Sequence, residues 1–138
     1  MKSATTYLNF DGNTKEAMTF YAKCLGGELN IQSFGDMGQA DPHPGSADRT
    51  IHAHLSAGPV VIMASDSPAE MRVTQGDNFW IMLECDSPEE QDKLFAALGE
   101  GGKALMPLQN QFWGARFGML RDKFGIGWML NCELPKNS

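Results

Sequence analysis

The chain has 138 residues, 42% hydrophobic and 20% charged, which is the size and composition of one packed domain. Its formal net charge of -6 argues against nucleic acid as a partner, because phosphate binding needs a basic surface. The opening stretch MKSATTYLNF lacks the apolar segment of a signal peptide, and no apolar run approaches the ~20 residues of a membrane span, so no membrane partner is expected.

Residues 4–10, ATTYLNF, alternate and are rich in β-formers, which predicts a strand. DGN follows as a turn. In TKEAMTFYAKCLGG, the residues Ala17, Phe20, Tyr21, Cys24 and Leu25 fall at helical spacing on one face, and Gly26 and Gly27 stop the helix. Three strand-like pieces come next, at 27–35, 49–57 and 59–66, with AGP as the turn of the second hairpin. Between the first two lies DMGQADPHPGSAD, residues 36–48, whose Gly, Pro and Asp content predicts a loop long enough to serve as a lid.

The same order then recurs. Residues 79–85 read as a strand leading into DSPEE, where Pro88 sits at the first helical turn and Glu89 and Glu90 suit the positive end of the helix dipole. Leu94, Phe95 and Leu98 are the expected buried face, and Gly99, Gly101 and Gly102 end the helix. Strands are predicted at 103–111, 115–122 and 127–134, the last two joined by DKFG. The expected fold is α+β, with one domain over 1–138 built from two βαβββ modules, about 1–70 and about 76–138. Cys24, Cys85 and Cys132 are odd in number and widely spaced, which suits reduced thiols and a cytoplasmic location rather than a disulfide framework.

Three segments carry a more specific likeness: YLNFDGNTKEAMTFYAKCLGGEL, IHAHLSAGPVVIMASDS and FWGARFGMLRDKFGIGWMLN. With the duplication, they resemble the vicinal oxygen chelate superfamily, which includes the glyoxalase, bleomycin-resistance and dioxygenase proteins, and within it the PhnB-like branch. The resemblance implies paired modules whose mixed sheet curls into a cup around a ligand. It also implies a divalent metal held by the first and last strand of each module. Those four positions fall at Thr6, Met63, Trp80 and Met129, and none is a histidine or carboxylate. No metal and no cofactor is therefore expected. His52 and His54 alternate on one strand and are the best remaining ligands, with Asp36, Asp66 or Glu84 as a third. The plainer alternative is two polar residues on a half-solvated strand.

The cup face expected from this register carries Thr6, Leu8, His52, His54, Met63, Trp80, Met82, Met129 and Asn131, with Trp113 of FWG at the rim. A tight AGP turn sets His52 opposite Met63. Aromatic and thioether walls suit a small, partly apolar molecule; equally, such residues fill cores. No catalytic residue can be named. Three functions follow from the resemblance: a metal-free binder or an enzyme of unassigned reaction, a metal-dependent lyase, isomerase or transferase using His52 and His54, and a methyltransferase. The third lacks a glycine-rich strand–helix unit. Two-module relatives usually pair, so a homodimer is expected.

Overall fold

The computed structural model describes residues 1–37 and 47–135. The chain divides into two compact units, Met1–Thr74 and Gln75–Ser138, a division that falls between the two expected modules. In the first unit the order is β1 (Thr6–Phe10), α1 (Thr14–Leu25), β2 (Glu28–Ser33), β3 (Thr50–Ala57) and β4 (Val60–Asp66), with one turn of 3-10 helix at Gly35–Met37. The second unit runs β5 (Trp80–Glu84), α2 (Pro88–Leu98), β6 (Lys103–Asn110), β7 (Ala115–Arg121) and β8 (Gly127–Glu133). The strand orders are β1-β4-β3-β2 and β5-β8-β7-β6. In each sheet the first strand runs parallel to the last, and the other pairs are antiparallel. This is the expected α+β plan of two βαβββ modules. Of the predicted 36–48 loop, residues 38–46 lie outside the described residues. Its described ends are tied together by Phe34 N–H to the Arg49 carbonyl and Gly35 N–H to the Ala47 carbonyl, both 2.9 Å.

Each sheet buries one face under its helix. In the first unit that face carries Leu8, Phe10, Ala53, Leu55, Ile62 and Ala64, all buried. The helix answers with Thr14, Ala17, Met18 and Tyr21. The stripe expected from the sequence is centred elsewhere: Phe20, Cys24 and Leu25 are only half-buried. The rotation has a cause. Thr14 is drawn inward because its hydroxyl donates to the Asp66 carboxylate at 2.7 Å. The same carboxylate accepts from the backbone N–H groups of Gly12 (2.9 Å), Thr14 (3.0 Å) and Thr50 (2.8 Å). Asn13, at the N-cap position, makes no side-chain cap. A carboxylate from β4 caps α1 instead, where the helix dipole favours a negative charge.

The second unit uses other residues for the same plan. Ser87 caps α2 by accepting from Glu90 N–H at 3.1 Å, and the Glu90 carboxylate reaches back to Asp86 N–H at 3.0 Å. Leu98 is fully buried as expected, but Leu94 and Phe95 are half-buried, and Gln91 takes the innermost place. Its amide donates to the carbonyls of Arg116 (2.8 Å) and Leu130 (3.0 Å), pinning α2 to β7 and β8. Asp122, expected in a turn, accepts from Phe124 and Ile126 N–H and from the buried Trp128 indole at 2.8 Å.

Replacing Asp66 by alanine strands four donors, three of them in the interior. Urea unfolding should show a loss of about 3 kcal/mol or more, whereas a loss under about 1 kcal/mol would remove Asp66 from its structural role.

Candidate functional site

Strand alternation means that burying one face under a helix fixes the residues of the other. On the first sheet the face turned away from α1 carries Tyr7, His52, His54 and Met63. Tyr7 pairs with Met63 on β4, and His54 pairs with Met63 from the other side. Asn30 and Gln32 of β2 stand beside His54 and His52. The Tyr7 hydroxyl lies 3.5 Å from His52 Nδ1, and the two rings are 6.0 Å apart between centroids.

The strand pairing corrects two expectations. Thr6 and Leu8 do not share the histidine face; they point to the helix side, where Leu8 is buried. The physical reason is legible in YLNF: Leu8 and Phe10 are the apolar alternate pair, and Tyr7 and Asn9 the amphipathic pair. The hairpin register also differs. Gly58 and Pro59 form the turn between the paired residues Ala57 and Val60, so His54 rather than His52 faces Met63. The difference is two residues, an even number, so both histidines and Met63 keep their common face.

The donors present do not complete the divalent-metal site that the resemblance implies. Among the described residues no three His, Cys, Asp or Glu side chains come together. Asp66 is on the helix side and is occupied by its four donors. Asp36 accepts from Ser33 N–H at 2.9 Å, a bond that also holds its carboxyl below the usual range. Glu84 accepts from the Asn131 amide at 3.0 Å. Of the four superfamily positions, Met63, Trp80 and Met129 lie on open faces and offer no hard donor.

The open face of the second sheet carries Trp80, Met82, Met129 and Asn131, as expected. Met82 pairs with Met129, and Asn131 with Glu84. The pairing of β7 with β8 adds Phe117, Met119 and Arg121, which sequence reasoning missed. Their signal was the alternation of RFGMLR. Gly118 faces α2, since a Cβ there would stand 3.0 Å from the Phe95 ring; its neighbours must therefore face away. Trp80 lies flat against Gly127, where an added Cβ would come within 2.6 Å of the indole. Arg121 Cζ sits 4.9 Å above the Trp80 ring. At the other end Trp113 meets Phe117 edge-on, with centroids 6.1 Å apart. A hollow of about 570 Å³ lies there, lined by Trp113, Ala115, Asn131, Glu133 and Leu134, a volume suited to a small organic molecule.

Cys85 and Cys132 are free thiols on the helix side of this sheet. Burial pushes both upward, helped at Cys85 by the charge of Glu90, and the Cys85 thiol rises to about 11. Neither is an activated nucleophile. Among the described residues no helix is long and apolar enough to cross a membrane.

A family described as 3-demethylubiquinone-9 3-methyltransferase matches residues 2–131 of the chain. Protein PA1353 from Pseudomonas aeruginosa is 40% identical, with a TM-score of 0.86 over 98% of this chain and 100% of that one. A Bacillus cereus PhnB protein, described as a putative 3-demethylubiquinone-9 3-methyltransferase, is 29% identical, with a TM-score of 0.77 over 95% and 99%. A glyoxalase/bleomycin resistance protein/dioxygenase family enzyme from Burkholderia phytofirmans PsJN shares the fold at 20% identity, with a TM-score of 0.62 over 95% and 100%.

In the folded protein a thiol reagent should modify Cys24 first and reach Cys85 and Cys132 only on unfolding. The Cys85 thiol ordinarily titrates near 9.0 and is held neutral up to about 11 in the fold. Its contribution to stability should be intact below about pH 9 and be lost as pH rises through about 11. Rapid labelling of Cys85 at neutral pH would contradict this. Gly127→Ala should displace Trp80 and cost about 1–3 kcal/mol, readable by urea unfolding.

Proposed function

Because the chain belongs to the family described as 3-demethylubiquinone-9 3-methyltransferase, whose PhnB-like members carry the glyoxalase/bleomycin resistance fold, we propose that it binds a small, partly apolar molecule on the open face of its second sheet. One observation carries the reading. Trp80, Met82, Met119 and Met129 stand together on the side of the sheet turned away from α2, and Met82 is 51% exposed. Thioethers adapt to a ligand's outline and aromatic rings stack on its faces. Asn131 and Glu84 supply polar groups that fix its orientation.

Binding of this kind needs no divalent metal, and the scattered donors of the first sheet favour a metal-independent reading. The methyltransferase description finds little support in the residues. A nucleotide-type cofactor on a strand–turn–helix unit needs free backbone N–H groups at the turn. At the β1–α1 turn those of Gly12 and Thr14 are taken by Asp66.

The proposal includes a homodimer in a reducing compartment such as the cytoplasm. β6 is the last strand of its sheet and carries an exposed Leu105, and three widely spaced cysteines suit reducing conditions.

Thermal-shift screening with flat aromatic compounds, followed by calorimetry, tests the binding reading. Ligands should be found, and Trp80→Ala or Met129→Ala should weaken them at least about tenfold, the loss of one well-packed apolar contact. Affinity unchanged by both substitutions would move the site elsewhere. Titration with zinc, nickel, manganese and iron(II) should give no stoichiometric binding. Binding abolished by His52→Ala or His54→Ala would restore the metal-dependent alternative.

A further inference from the structure

The open face of the second sheet has opposite charges at its two ends. At the start of β8, beside Gly127, stand Arg121 and Lys103. They are partners across the β6–β7 ladder, so they emerge on one side. Two of the other arginines find carboxylates: Arg49 pairs with Asp11, and Arg116 with Asp92. Among the described residues neither Arg121 nor Lys103 forms an ion pair. Arg121 spends one N–H on the Gly125 carbonyl at 2.9 Å and lays its guanidinium over Trp80. It also lines a hollow of about 370 Å³ with Gln75, Gly76, Asp77 and Gly125. Asp77 shares that hollow without pairing to the guanidinium.

Four residues further along β8, roughly 13 Å away at strand spacing, the face turns acidic. Asn131 is bonded to Glu84, and Glu133 lines the hollow beside Trp113. Between the two ends lie Met82, Met119 and Met129. A protein with a net charge of -6 thus holds, at one end of an apolar strip, a guanidinium laid over a ring and an ammonium on the neighbouring strand, neither in an ion pair among the described residues.

We infer that the ligand of this face is an anion: an aromatic or apolar body bearing a carboxylate or similar acidic group, held by Arg121 and Lys103. The inference rests on the proposed binding face and names the ligand's chemical class. A planar guanidinium fixed over a ring presents its remaining N–H donors in one plane, matched to two acidic oxygens. Lys103 adds a second charge. The body of the ligand then lies along the thioethers. Glu84 and Glu133 repel the acidic group, so the ligand enters in one orientation.

Calorimetric titration of the full chain with indole-3-acetate, indole-3-acetamide and tryptamine tests this. The three share one ring and differ in carrying an anion, a neutral amide and a cation. The acetate should bind at least about tenfold tighter than the amide, tryptamine should bind no better than the amide, and added salt should narrow the gap. Arg121→Gln should abolish the preference for the acetate while the amide keeps its affinity within about threefold. Lys103→Gln should reduce the preference, and it carries the same test with the salt series if Arg121→Gln does not fold. Lys93→Gln, on the exposed side of α2, removes an equal charge and should leave the preference intact. Equal affinities of acetate and amide, or a preference that survives Arg121→Gln, would overturn the inference and leave the binding face standing. Absence of binding by all three would overturn the binding reading together with it.

Discussion

A single carboxylate organises the first unit. Asp66, at the last residue of β4, collects donors from the β1–α1 turn, from the first residue of α1 and from the start of β3. Three of the four are backbone N–H groups, and unmet buried donors are costly. The helix has no side-chain cap of its own, so its starting point and rotation are set from the sheet. Once α1 is laid down with Thr14 inward, one face of the sheet is committed to the core. Everything on the other face, including both imidazoles, follows by alternation. The site in this unit is therefore a by-product of how the helix is anchored.

The second unit repeats the topology with different anchors. Ser87 and Glu90 cap α2 locally, and Gln91 ties it to two strands through carbonyls. The carboxylate role moves to Asp122, at a hairpin, where it binds an indole. What the halves share is strand order and pairing sense. Their open faces have diverged: imidazole, phenol and amide on the first, thioether, indole and guanidinium on the second. A metal site drawing one ligand from each first and last strand needs hard donors on both faces. This division of chemistry does not provide them.

The elements were legible because alternation, Gly stops and Pro88 are local signals. Every strand and both helices lie within a few residues of their sequence-based bounds. The site was legible only in part. His52, His54, Met63, Trp80, Met82, Met129 and Asn131 reach the open faces because their strands were assigned with the right parity. Thr6 and Leu8 did not, because one residue of slip in β1 exchanges the two faces, and a superfamily alignment does not resolve one residue. Phe117, Met119 and Arg121 alternate locally in RFGMLR, but the side they take was fixed only by the pairing of β7 with β8, which is non-local information. The buried faces of the helices were displaced for a related reason: Thr14 and Gln91 are polar, and only their distant partners explain why they turn inward.

The three tryptophans divide by environment in a way that has an optical consequence. Trp128 is sealed in the core and bonded to a carboxylate, so its surroundings are set by the core rather than by the open face. Trp80 lies under a cation at one end of the open face, and Trp113 stands half-exposed beside a hollow at the other. The chain thus carries one core indole and two position-coded sensors. Single replacement of either sensor by phenylalanine separates their signals. A spectral titration then reports which end of the strip a bound molecule occupies.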